Sequence, residues 1–373
     1  MSVHKDILRL GGISVLTLKE EVSDAASSKR GYYLFGKIKI FSKNQTCSLS
    51  KEKKDKKNKF LSVNTYDETH IKIIFLGIKL TIPKREYYLL KKQNPFYKYQ
   101  QKNEDITKIP PATGHLREIQ LANMALLKEL DYVCRQNNLS YWLDGGTMLG
   151  AVRHGGFIPW DDDIDVGMMI DDYEKIIPAF EKSSREKDIY ACYVRDNKKP
   201  DLYIIKIKHK KCPSLFVDIF PFYVYGKSIC ESEQLKKTKE IKSIRKKVLS
   251  GMESFVSDDE INEKYKDIME KYVISSSIPQ NLEETDLVWG VQYNHRWKNW
   301  FTNYNVIFPL KPQKFEGYEF LGINNPNAFL SRIYGNYMSY PKRISFGHST
   351  YKNKDKTELK IIKSYAQNFI EGK

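Results

Sequence analysis

The sequence predicts an α+β fold, in which strands and helices interleave through a central region, a small β-rich region precedes it, and a helical part closes the chain. Three patterns carry that prediction. Leu116, Ile119, Ala122, Leu126, Leu127, Leu130, Val133 and Cys134 recur at helical spacing and mark one buried face of a helix that ends near Asn137 and Asn138. Leu202, Ile204, Lys206 and Ile207 alternate, and the run Ser214-Leu-Phe-Val-Asp-Ile-Phe220 is almost wholly apolar, so both stretches read as strands. Polar helices are expected over about 231–250 and 258–273, and an amphipathic one over about 355–369.

From the N-terminus, residues 1–105 form the β-rich region. Two segments there, one centred on Gly36 and one on Gly77, alternate apolar and basic residues about the glycine and predict short strands or hairpins. Tyr32, Tyr33, Tyr87 and Tyr88 flank them, and a lysine-rich loop over residues 51–59 separates them. A basic, aromatic surface of this kind suits an anionic membrane face; a small β subdomain with buried rings is the competing reading. Residues 103–113, with Pro110 and Pro111, read as a linker, so residues 106–373 form the second domain.

Composition sets the class. The chain has 373 residues, five cysteines and a formal net charge of +16. No CxxC pair occurs, so neither a zinc site nor a disulfide framework is expected. There is no long apolar run and no cleavable leader pattern, which points to a cytoplasmic protein. The charge favours a polyanionic partner or simply a solvated surface.

The chemistry concentrates between Tyr141 and Gly167. A short strand over residues 140–143 leads into Gly145-Gly146-Thr147, where a glycine turn opening a helix lets backbone amides approach an anion. Asp161, Asp162, Asp163 and Asp165 then crowd four carboxylates into five positions, which repel one another unless a cation neutralises them. Asp163 and Asp165, two apart, share one face of a strand, as hard-cation ligation requires. Asp218 lies within the apolar run over residues 214–222, where an unpartnered carboxylate is costly. A third metal-site carboxylate accounts for it, with an ion pair to a lysine as the rival.

A Gly-Gly-Thr turn, an Asp-x-Asp pair and a later strand Asp together resemble the nucleotidyltransferase plan. The block over residues 141–167, Val217-Asp-Ile-Phe-Pro221, and Tyr334-Gly-Asn-Tyr337 followed by Pro341, Arg343 and His348 closely resemble the LicD family, as does the lead-in helix over residues 116–134. Fukutin-related transferases look like more distant relatives. The resemblance implies a mixed sheet flanked by helices. It also implies transfer of phosphocholine, or a related phospho-alcohol, from a CDP-activated donor to a sugar hydroxyl of a lipopolysaccharide, teichoic acid or capsule, with release of CMP. Under it, Asp163, Asp165 and Asp218 would bind Mg²⁺ (or Mn²⁺) and carry catalysis. Gly145, Gly146, Thr147 and Arg153 would hold the donor phosphates, and Asp161 and Asp162 would orient the ligands from behind. The expected partners are the CDP-alcohol, a lipid-linked glycan and an anionic membrane face, without nucleic acid. If the donor carries choline, aromatic faces are needed; Trp142, Trp160, Tyr203 and Tyr225 lie near the motifs but suit the core better. The alternative reaction on the same fold moves a nucleoside monophosphate onto a small molecule or sugar.

Overall fold

A computed structural model describes strand segments within residues 2–83, then residues 96–195, 203–250, 257–274, 281–341, 344 and 355–372. The chain divides into two compact units, Met1–Lys98 and Tyr99–Lys373. In the first, β1 (Ser2–Leu10), β2 (Ile13–Asp24), β3 (Ser27–Leu34) and β4 (Ile38–Thr46) form one antiparallel sheet in sequence order, and β5 (Leu61–Thr65), β6 (His70–Phe75) and β7 (Ile78–Pro83) form another. The expected hairpins are there: Leu34 pairs with Ile38 across one glycine segment and Phe75 with Ile78 across the other. Gly36, Gly77, Tyr87, Tyr88 and the lysine-rich loop lie outside the described residues.

After α1 (Tyr97–Gln101) comes an irregular stretch whose Ile106, Ile109 and Ala112 are buried, so the linker is packed down rather than free. The long helix α2 (Gly114–Gln136) follows, buried along the predicted apolar face. A seven-stranded mixed sheet is the centre of the fold. It contains β8 (Trp142–Leu143), β9 (Ile164–Met169), β10 (Ile189–Arg195), β11 (Tyr203–His209), β12 (Cys212–Val224), β13 (Asp286–Trp289) and β14 (Phe301–Asn303). Strand β12 runs parallel to β9 and antiparallel to β11, which makes the sheet mixed as expected.

Helix α3 (Gly145–His154) joins β8 to the acidic loop, and α4 (Ile170–Tyr173) and α5 (Ile176–Ser183) follow β9. Next come α6 (Glu231–Ser250) and α7 (Asp258–Ile268), which runs on as a π turn over Met269–Val273. After β14 come α8 (Tyr304–Ile307), the hairpin β15 (Lys311–Phe315) and β16 (Tyr318–Gly322), α9 (Pro326–Tyr334) and α10 (Lys356–Ile370). Among the described residues no helix is long and apolar enough to cross a membrane.

Candidate active site

Four short-range devices build the site. First, the extended Asp144 caps α3: its carbonyl accepts from Met148 N at 2.9 Å, and its own N–H donates to Asp165 O at 3.0 Å, fastening β8 to β9. Second, Thr147 Oγ1 accepts from Asp165 N at 2.8 Å. Third, α2 holds the acidic loop from behind. Gln120 Nε2 donates to the Asp161 carbonyl at 2.7 Å, and Asn123 Nδ2 to the Asp162 carbonyl at 2.8 Å, while Asn123 Oδ1 accepts from Phe216 N at 3.1 Å. One buried asparagine thus ties the loop to β12. Fourth, parallel pairing sets Asp218 directly opposite Asp165, although fifty-three positions separate them in sequence.

The result is a cleft of about 470 Å³ lined by Gly146, Asp161, Asp163, Asp165, Asp218 and Lys206. Phe220, two residues beyond Asp218 on β12, lines it too, with Tyr293, His295, Arg296, Trp297 and Tyr334. Asp163, Asp165 and Asp218 therefore line one cleft. Burial and the charge of Asp163 push the carboxyls of Asp161 and Asp165 well above the ordinary carboxylate range. Such groups gather protons or a cation, and a hard divalent cation suits an all-oxygen donor set of this kind. Asp161, Asp162 and Asp163 each offer an oxygen within 4.8 Å of the others. Asp161 lies on the cleft wall itself, whereas Asp162 is 3 % exposed and does not line it.

The two glycines serve the carboxylates. A Cβ on Gly145 would stand 3.0 Å from Asp165 Oδ2, and one on Gly146 3.2 Å from Asp161 Oδ2; Gly145 also has φ of +49°. The Gly146 amide bonds the Asp165 carboxylate and lowers its pKa, against the larger effects that raise it. The anion at this helix N-terminus is thus a side chain of the protein, not only a ligand to come. Thr147 holds Asp165 by its backbone instead, its hydroxyl accepting from the Asp165 N–H, and of the Gly-Gly-Thr turn only Gly146 lines the cleft.

Two expectations need correction. Arg153 is buried and turned to the protein: Nη1 donates to the Tyr337 carbonyl at 2.7 Å, Nε to His154 Nε2 at 2.9 Å, and the guanidinium lies 5.8 Å from the Trp160 ring centroid. It anchors the Tyr334–Tyr337 segment to α3 and does not line the cleft. The cations that do are Lys206 and Arg296. Asp218, read chiefly as a metal-site carboxylate, is also the lysine partner of the rival reading: Lys206 Nζ stands 2.7 Å from Oδ1 and 3.0 Å from Oδ2. Lys206 interrupts an otherwise apolar alternation, and that was the available sequence signal.

Of the aromatic lining only Tyr334, in the C-terminal motif, was legible. Trp142, Trp160, Tyr203 and Tyr225 are core residues, all less than 9 % exposed. The rings at the cleft come from β12, from an irregular segment after β13 and, with Tyr334, from the end of α9. The Phe220 centroid lies 5.5 Å from Tyr293, Tyr293 4.7 Å from His295, and His295 stacks on Trp297 at 4.8 Å. Burial holds His295 neutral, its pKa far below the usual histidine value. Arg343 and His348 lie outside the described residues.

Converging carboxylates beside a helix that opens on two glycines, on a mixed sheet, define a nucleotidyltransferase-type domain. Residues 138–255 match the family model described as LicD/FKTN/FKRP, nucleotidyltransferase domain. The lipopolysaccharide cholinephosphotransferase LicD of Haemophilus influenzae is 31 % identical over 257 residues, 61 % of this chain and 92 % of that protein. The chain belongs to the LicD family. An uncharacterized protein of Rickettsia prowazekii is 47 % identical over 60 residues, covering 15 % of this chain and 23 % of its own. Human ribitol 5-phosphate transferase FKRP is 59 % identical over 32 residues, only 9 % of this chain and 6 % of that protein.

Proposed function

We propose that the chain is a divalent-cation-dependent transferase that moves phosphocholine, or a related phospho-alcohol, from a CDP-activated donor to a sugar hydroxyl of lipopolysaccharide or a similar surface glycan. The observation that carries this reading is the meeting of Asp161, Asp163, Asp165 and Asp218 in one cleft that aromatic rings also line. The Haemophilus relative, similar over nearly its whole length, supports both the phosphocholine and the lipopolysaccharide.

Asp163, Asp165 and Asp218 would hold Mg²⁺ or Mn²⁺, with Asp161 beside them. A bound divalent cation supplies charge neutralisation at the donor diphosphate as the bond to the nucleotide weakens. Lys206 and Arg296 give the phosphate oxygens further positive charge from the protein. The acceptor hydroxyl oxygen attacks the phosphorus that bears the alcohol, the phosphorus–oxygen bond to CMP breaks, and CMP leaves with that electron pair. A cleft carboxylate takes the hydroxyl proton; Asp218 suits this when Lys206 rather than metal engages it. The rings of Phe220, Tyr293 and Trp297 offer π faces to a trimethylammonium group, an attraction of about 0.5–2 kcal/mol per ring contact. Docking to an anionic membrane face through residues 1–105 remains part of the proposal.

The test is a panel of CDP-alcohols with Mg²⁺ and a glycan acceptor, followed by CMP release. We expect CMP in step with phospho-alcohol on the glycan, CDP-choline being the best donor, and loss of turnover in Asp163→Asn. Pyrophosphate release from CTP in place of CMP would favour the nucleotidyl reaction and overturn this one.

A further inference from the structure

We propose that helix α6 positions the rings of the cleft, and that Lys242 on it is a positioning residue for recognition of the donor; this rests on the transferase reading above. Residues 290–300 lie between β13 and β14, outside any helix or strand, yet bring Tyr293, His295, Arg296 and Trp297 to the cleft. A segment without repeating backbone bonds takes its shape from what it is fastened to.

The fastenings come from one face of α6. Gln234, Thr238, Lys242 and Arg245 follow one another at helical spacing along it. Gln234 Oε1 accepts from Asn299 Nδ2 at 3.0 Å, and Thr238 Oγ1 from Trp300 N at 3.1 Å. Lys242 Nζ donates to the Trp297 carbonyl at 2.7 Å, and Arg245 Nε to the Val291 carbonyl at 2.6 Å. Gln234 Oε1 also accepts from Arg332 on α9, the helix whose last residue, Tyr334, lines the cleft. Both elements that bring rings to the cleft from beyond β12 are thus bonded to α6. Apolar contact would hold this helix down without fixing what lies against it, whereas hydrogen bonds fix particular atoms.

Of the four side chains, Lys242 bonds a residue of the cleft lining. The Trp297 ring stacks on His295 with centroids 4.8 Å apart and planes 14° from parallel. Lys242 Nζ also lies 5.0 Å from the Trp300 ring centroid. Burial keeps His295 neutral, helped by the charges of Lys242 and Arg245, so the stack is of two uncharged rings. The helices therefore divide the work. Helix α2 holds the carboxylates by their loop, and α6 holds the rings and Arg296, so donor affinity answers to α6 separately from metal and chemistry.

The test compares, in the full chain, Lys242→Met, which keeps the length of the side chain and loses the donor group, with Lys242→Arg, which restores it. In Lys242→Met we expect KM for CDP-choline to rise about tenfold or more, with kcat and Mn²⁺ affinity within about twofold of wild type. Deuterium exchange should quicken at the amides of residues 291–300 and stay unchanged in α2 and β9. Lys242→Arg should return KM and exchange towards wild type. Thr238→Val, which strands the Trp300 N–H, should move both in the same direction and decides the matter if Lys242→Met does not fold. Equal falls in kcat and kcat/KM, weakened Mn²⁺ binding, unchanged exchange, or no rescue in Lys242→Arg would each overturn the proposal. A wild type that releases no CMP from CDP-choline would instead overturn the transferase reading, and exchange at residues 291–300 would still decide whether α6 positions the rings.

Discussion

Asp144 shows how much a single carboxyl can reveal. It is fully buried; Oδ2 lies 3.4 Å from Trp289 Nε1, and Oδ1 has no hydrogen-bond partner. Burial raises its pKa from the ordinary 3.8 to about 7. A folded-state pKa above the unfolded one contributes stability that is complete below about 3.8 and is lost as pH rises through about 7, on the order of 4 kcal/mol in all. Asp144→Asn, neutral at every pH, should escape that loss. In cation-free buffer its Tm should gain on wild type between about pH 5 and pH 8, and a constant difference would count against the buried charge. Gly146 makes a complementary case. A methyl there meets Asp161 Oδ2 at 3.2 Å, so Gly146→Ala should fold yet bind Mn²⁺ about 10–100-fold more weakly, as seen when supports of metal ligands are disturbed. The carboxylates and glycines were legible because they are dense in one block. Lys206 gave only the faint sign of a charge in an apolar alternation, and Arg153 misled, because proximity in sequence to Gly146 does not fix which way a helical side chain turns.

At the scale of elements, the site depends on how α2 and the β8–β9 pair are fastened. The buried face of α2 includes Gln120 and Asn123 among its apolar residues, and these two hold the acidic loop by its carbonyls. Asn123→Ala would strand the Asp162 carbonyl and the Phe216 N–H, at about 1–3 kcal/mol for the buried groups left unpaired. Thermal melts should show that loss, and turnover should fall further than the melt implies, since the carboxylates lose their position. Gly167 faces Trp142 across β8 and β9, where a Cβ would come within 2.4 Å of the indole. Gly167→Ala should therefore cost about 1–3 kcal/mol by overpacking, read as a lower denaturation midpoint. Helix α6 shows where periodicity runs out. Its buried positions are mostly polar, with Gln234 donating to Asp286 and Arg245 to the Val291 carbonyl. The helix was readable from its propensity, but its docking through side-chain hydrogen bonds was not.

Over the whole molecule, the catalytic unit was legible in sequence order, since helix α2, strands β11 and β12, and the terminal helix fall where periodicity put them. What sequence could not give was adjacency across the sheet. The parallel register that sets Asp218 against Asp165, and the segment after β13 that brings Tyr293, His295 and Trp297 to the cleft, are properties of the assembled fold. For the surplus positive charge the account expects a separable role: removing residues 1–105 should abolish sedimentation with anionic vesicles and leave turnover on a soluble acceptor nearly unchanged. The central claim, that distant carboxylates share one divalent cation, is tested most directly by a crystal soaked with Mn²⁺ and CDP-choline and measured for anomalous scattering. The account predicts a peak at ordinary Mn²⁺–oxygen distance, roughly 2.0–2.3 Å, from carboxylates of Asp163, Asp165 and Asp218 or its neighbour Asp161. A cleft without that peak while the nucleotide is bound, its diphosphate held by Lys206 and Arg296 alone, would contradict it.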